Sequence, residues 1–256
     1  MILSKRYSLL QKLSFAVCVQ LASITAFSTL VMTPAALLAK GIPERWEAKE
    51  YQPPAGLGAP GSRQAGGTRD SQRCLVGGKQ LTALVPVNNF AVTIAPYPTF
   101  FVYMPSLSRQ QSQTPVEFVL QDEQGNELYK ATYKAGGKSG IVSISLPSNA
   151  GLPPLETGKT YRWDFSLLCN PLDRSEDLSV GGMISRVPLS ARLSNQLRQA
   201  KPENRAQIYA EAEIWQDALT ALAEQRRYKP NNSASAAEWK KLLTSVGLAD
   251  LAREPF

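Results

Sequence analysis

Hydrophobic and polar residues alternate with a period of two through the middle of the chain. In Leu155–Cys169 (LETGKTYRWDFSLLC), Tyr161, Trp163, Phe165 and Leu167 alternate with Arg162, Asp164 and Ser166, the pattern of a strand with one buried face. Gly140–Leu146 (GIVSISL) sets Ile141, Ser143 and Ser145 against Val142, Ile144 and Leu146 in the same way. Leu81–Val87, Pro98–Met104, Val116–Gln121, Glu127–Tyr133 and Val180–Leu189 are similar runs, rich in β-branched and aromatic residues. Asp122–Asn126 (DEQGN) is a turn signal that makes the third and fourth of these runs a hairpin. About seven short strands between Pro, Gly and polar turns predict a β-sandwich over residues 74–189.

At residue 190 the period changes from that of strands to that of helices. Ser190 stands where it would cap a helix over Arg192–Ala200, and Pro202 suits the first turn of the next helix, Glu203–Glu211. Ile214–Tyr228 is the clearest helix. Its Ile214, Trp215, Ala218, Leu219, Leu222 and Ala223 fall on one face, and Pro230 with Asn231 and Asn232 stops it. The last helix is expected to be capped by Ser235, with Trp239, Leu242, Leu243 and Val246 on its apolar face and Gly247 at its C-terminus. Tyr209, Ala218, Leu222 and Pro230 resemble one unit of a tetratricopeptide repeat. Such units stack on neighbours and only one is found, so the segment reads as a helical hairpin packed on the sandwich. The predicted fold class is therefore mainly β with C-terminal α: an immunoglobulin- or fibronectin-III-like antiparallel β-sandwich, followed over residues 190–256 by a helical hairpin and a terminal helix.

The first residues change the picture of where this fold operates. Lys5, Arg6 and Lys12 precede an apolar run from Leu13 to Met32, and small residues follow at Ala35, Ala36 and Ala39. That order predicts a secretory signal peptide over 1–39, cleaved after Ala39. Its removal takes away three cations and no anions, so a net charge of +7 becomes +4, too weak a bias to argue for nucleic acid. No later segment is apolar enough for a membrane span, and the protein is expected in the periplasm or outside the cell. Residues 40–73 carry Pro53, Pro54, Gly56, Gly58, Pro60, Gly61, Gly66 and Gly67, and read as a flexible arm. Cys18 leaves with the signal, so Cys74 and Cys169 remain as an even pair, and a disulfide between them is expected in an oxidising compartment.

Chemistry is sparse. The chain has no histidine, which removes the commonest general base and metal ligand. The common serine-nucleophile motifs G-x-S-x-G and S-x-x-K are absent. Gly136–Gly140 (GGKSG) resembles the end of a phosphate loop, but Thr132 stands where the first glycine belongs and the segment lies between strands. Asp173, Glu176 and Asp177 form an oxygen-rich stretch that serves as a candidate cation or contact loop. Phe101 and Tyr97 are candidate outward contact points. Leu155, Gly158 and Tyr161 have the spacing of a tyrosine corner, a structural feature in which the tyrosine bonds back to the turn before its strand.

The ordered run PTFFVYMP, GIVSISLP, LETGKTYRWDFSLLCNPLDRSEDL, IYAEAEIWQDALTALAE and LLTSVGLADLAREPF resembles an uncharacterised cyanobacterial family, domain of unknown function 928, across roughly residues 50–256. The resemblance implies an exported cyanobacterial protein and brings no activity with it. The family usually reads YxxxGIWYDAL in the long helix, where this chain has Glu213 for the glycine and Gln216 for the tyrosine. In the last strand Gly182 and Met183 stand where tryptophan is common. The expected function is a non-catalytic binding or assembly module of the cell envelope, without cofactor or metal, partnered by another envelope protein. The alternatives are a carbohydrate- or calcium-binding domain, or a hydrolase built on paired carboxylates such as Asp173 and Asp177.

Overall fold

A computed structural model describes residues 41–46, 61–65, 74–76, 78–108, 114–149, 151–170 and 172–256. The signal peptide expected over 1–39 lies outside the described residues.

Ten strands follow in order: β1 Leu75–Val76, β2 Thr82–Ala83, β3 Phe90–Thr93, β4 Thr99–Met104, β5 Ser106–Leu107, β6 Pro115–Gln121, β7 Glu127–Lys134, β8 Gly140–Ser145, β9 Thr160–Leu167 and β10 Leu178–Arg186. They make two open sheets, β2-β4-β8 and β3-β10-β9-β6-β7, and a small β1-β5 pair. The sheets face each other through aromatic rings. Phe100 of β4 lies 5.0 Å from Phe118 of β6 and 5.1 Å from Trp163 of β9, and all three are buried. Close aromatic pairs of this kind contribute about 0.5–1.5 kcal/mol each beyond the area they bury. The period-two reading of β9 holds residue by residue: Tyr161, Trp163, Phe165 and Leu167 are buried, while Arg162, Asp164 and Ser166 are only partly so.

One pairing departs from the antiparallel expectation. β3 runs parallel to β10, with Phe90–Thr93 opposite Met183–Arg186. β3 has four residues and follows directly on the Asn88–Asn89 turn, so it shows too little alternation to be read from sequence.

Four helices follow: α1 Ala191–Gln199, α2 Arg205–Glu211, α3 Trp215–Tyr228 and α4 Ser233–Ser245. Ser190 caps α1 by accepting the Leu193 N–H at 3.2 Å. α4 starts earlier than expected. Asn232, not Ser235, is its cap, because the Asn232 side chain accepts the N–H groups of both Ala234 and Ser235 at 2.9 and 3.1 Å. Gly247, at φ +76°, ends α4 in a Schellman turn: Leu248 donates to the Leu243 carbonyl and Gly247 to that of Thr244.

The helices do not form a separate domain. Residues 39–256 cluster as one unit, with a shared core of strand and helix residues. α3 lies against β3 and β4. β4 is consequently buried on both faces: Phe100, Val102 and Met104 point to the large sheet, while Phe101 and Tyr103 lie beneath the helical layer. Phe101 is thus core rather than an outward contact point, since the helices cover the face it was expected to present. At the far edge, Ile141 of β8 donates to the Pro255 carbonyl at 2.7 Å, so the C-terminal residues cover a strand edge.

The flexible arm expected over 40–73 is also corrected where it is described. Ile42 and Trp46 are buried; the Trp46 N–H donates to the Ser245 carbonyl, and its ring meets Trp215 edge-on at 4.9 Å. Residues 61–65 run beside β2. Ala65 donates to the Leu81 carbonyl and Ala83 to that of Arg63. A proline- and glycine-rich composition limits what a segment can bury by itself. It does not stop two large side chains from docking on helices, or a backbone from pairing with an open sheet edge.

Candidate functional site

The residues singled out from the sequence are largely committed to holding the fold. Cys74 and Cys169 form a disulfide with Cα atoms 5.6 Å apart, across 95 residues. The bridge hints at an oxidising compartment. Among the described residues, no helix is long and apolar enough to cross a membrane. The Tyr161 hydroxyl accepts the Glu156 N–H at 2.8 Å, Leu155 is buried beside it, and Gly158 turns the chain at φ +86°. Arg186 closes this corner from β10 by donating to the Leu155 carbonyl.

Asp173, Glu176 and Asp177 are brought together in one turn, and two of them already have work there. Asp173 accepts the Ser175 N–H and hydroxyl at 3.0 and 2.6 Å, capping a short 3₁₀ turn. Those bonds hold its carboxyl below the ordinary value. Asp177 is pushed up by burial, against the pull of Arg174. Arg174 bridges Asp177 to Glu117 on β6, and Glu117 also pairs with Lys130 at 2.9 Å. Among the described residues, no group of three or more His, Cys, Asp or Glu side chains could hold a metal ion.

A different cleft carries more chemistry. Glu213, at φ +59°, turns the chain between α2 and α3 and delivers three consecutive side chains to the strand ends. Trp215 Nε1 donates to the Leu84 carbonyl at 3.1 Å. Gln216 Nε2 donates to the Thr99 carbonyl. Asp217 Oδ2 accepts the Thr93 hydroxyl at 2.7 Å and the Ile94 N–H at 3.2 Å. Beside them opens a cleft of about 280 Å³. Its walls include Tyr97 from the β3–β4 loop and Tyr209 from α2, with Arg205 and Glu224 exposed at its rim.

The electrostatics of this cleft are unbalanced. Burial pushes the Asp217 carboxyl up to about 6, against hydrogen bonds from Thr93, Ile94 and its own backbone N–H that pull it down. No cation among the described residues lies within ion-pair distance of it. Burial and the Asp217 charge both push the Tyr209 phenol up. Gln216 is 2% exposed, yet its Oε1 has no hydrogen-bond partner. The cleft therefore presents a carboxylate and an unused amide oxygen, both acceptors. It contains no thiol, and the chain has no imidazole.

Sequence reading passed over Asp217 because an acid in a helix's first turn is ordinary complement to the helix dipole. Its partner Thr93 is 124 residues away. The available signal was Gln216, a polar residue where the resemblance led one to expect tyrosine. The other departures are structural. Gly182 sits opposite Trp163, where a Cβ would meet the Asn89 carbonyl oxygen at 2.7 Å, and Met183 is fully buried.

The family model described as Domain of Unknown Function (DUF928) matches residues 64–256. The chain belongs to this family. The match spans both sheets and all four helices, so every side chain of the cleft lies inside the DUF928 domain, while Ile42 and Trp46 dock onto it from outside the matched range. No curated protein matches the chain.

Proposed function

We propose that this DUF928 protein is an exported, non-catalytic binding or assembly module of the cell envelope, acting in the periplasm or outside the cell, with the Asp217 cleft as its recognition site. The supporting scaffold is an immunoglobulin- or fibronectin-III-like sandwich. In favour of it stand the chain's alternation between the two sheets at β4–β6 and β8–β9, the parallel edge strand β3, and the tyrosine bonded back to its own turn. Export is supported by the basic-apolar-small order of residues 1–39 and by the disulfide.

The observation that carries the reading is the pairing, in one cleft, of a desolvated carboxylate without a cation and a buried amide oxygen without a donor. Groups left this way in a folded core cost stability unless something else completes them. The cleft has neither a thiol nor an imidazole to activate one of its hydroxyls, which favours recognition over catalysis. The test is a photo-crosslinking amino acid placed at Tyr209 in the exporting cell, with the same probe at Leu172 in the distant turn as control. A discrete adduct from Tyr209 that is absent from Leu172 is expected. Identical patterns from the two positions would overturn the reading.

A further inference from the structure

The cleft's chemistry narrows what it can receive, provided that it is a binding site at all. Two acceptors wait there. The Asp217 carboxylate takes the hydrogen bonds of Thr93 and Ile94 on Oδ2, which leaves Oδ1 without a bond from the strand rim. Gln216 has its nitrogen turned to the Thr99 carbonyl, which leaves Oε1 as the free end of a buried amide. The fold does not require the charge on Asp217: an asparagine oxygen would accept from Thr93 and Ile94 equally well. A water molecule would satisfy Oε1 and leave the charge uncompensated. A hydroxyl ligand has the same shortcoming. A metal ion is disfavoured, since no cluster of three ligating side chains exists among the described residues. Arg205 and Glu224 line the cleft as exposed groups of opposite sign, so Asp217 is its buried charge.

We propose that the cleft takes a primary alkylammonium group, with the Asp217 carboxylate and the Gln216 side-chain oxygen as its acceptors and the Tyr97 and Tyr209 rings lining its methylene chain. An ammonium has three donors and one positive charge, which matches both deficits at once. Tyrosine rings beside a cation add to the attraction through their π faces. The group can arrive on a free amine or on a lysine side chain of a partner.

The test is calorimetric titration of the purified full-length protein at about pH 8, where Asp217 is ionised. The probes are n-butylammonium, Nα-acetyl-lysine methylamide and the neutral n-butanol. Binding of n-butylammonium is expected, weakened about tenfold or more in Asp217→Asn, with n-butanol weaker by at least the same factor. A lysine amide that binds tighter than the free amine identifies a peptide source; equal affinities identify a free amine. A melting curve confirms that the variant is folded. The proposal is overturned if n-butanol binds as well as n-butylammonium, or if Asp217→Asn binds as tightly as the parent. Absence of any ammonium binding overturns it as well, while a specific Tyr209 crosslink would still leave the cleft as a recognition site for another ligand.

Discussion

Asp217 on α3 and Thr93 at the end of β3 lie 124 residues apart in sequence and 2.7 Å apart through a carboxylate–hydroxyl hydrogen bond. Thr93 also accepts the Ala95 N–H at 3.0 Å, and Asp217 also accepts the Ile94 N–H. This small network fastens the helical layer to the rim of the large sheet. It does so with an acid whose ionisation the surroundings oppose.

The opposition has a definite pH signature. Asp217 has a folded pKa of about 6, raised from 3.8, so the folded state holds its proton more tightly than the unfolded chain does. Below about pH 4 both states are protonated and the group contributes nothing. Stability is lost as pH rises between the two values, and the full penalty applies above about pH 6. The shift corresponds to on the order of 3 kcal/mol, less whatever the water in the cleft screens. Asp217→Asn keeps the acceptor and removes the charge. It should raise the midpoint of denaturant unfolding at about pH 8 and leave it unchanged at about pH 3.5. A variant less stable than the parent at the higher pH would contradict this.

Glu213 adopts φ +59°, a conformation that strains any residue with a Cβ. Glu213→Gly should stabilise the protein by roughly 1 kcal/mol, the strain relieved exceeding the entropy glycine adds to the unfolded chain. Chemical denaturation measures it directly, and a loss of stability would show that the glutamate side chain makes contacts worth more than the strain.

The Cys74–Cys169 bridge closes a loop of 95 residues, for which loop-closure entropy gives about 4–5 kcal/mol. Cys74→Ser with Cys169→Ser should lower unfolding free energy by roughly 2–5 kcal/mol, and reductant should do the same to the parent alone. Equal stability with and without reductant would contradict this.

Tyr161→Phe removes the acceptor for the Glu156 N–H while leaving the ring in the core. A loss of about 1–3 kcal/mol is expected, without change in the slope of unfolding against denaturant.

Much of the β region is legible from sequence because its signals are local. The alternation in Thr160–Leu167, the Leu155-Gly158-Tyr161 spacing and the single remaining cysteine pair each need only neighbouring residues or simple elimination. Gly140–Ser145, by contrast, is a strand without the expected faces, since Ile141 is buried as Ile144 is and Val142 is exposed. What escapes is non-local. β3 is too short to alternate and gains its place by lying parallel to β10. Trp46 and residues 61–65 look like linker until a helix face and an open sheet edge are there to receive them. The cleft belongs to the same class. Thr93, Tyr97 and Asp217 are unremarkable in their own segments, and Gln216 stands out only as a departure from the tyrosine of the resembled family. Their chemistry comes from being assembled by α3 docking on the strand ends.

A cationic ligand would complete the cleft, and the Gln216 side-chain amide reports on its arrival at closest range. Its two N–H resonances can be followed by proton–nitrogen NMR while n-butylammonium is added at about pH 8, where Asp217 is charged. Saturable movement of the Gln216 side-chain signals together with the Ile94 backbone amide, absent with n-butanol and absent in Asp217→Asn, is the predicted result. Gln216 and Ile94 signals that stay in place while the protein remains folded would contradict it.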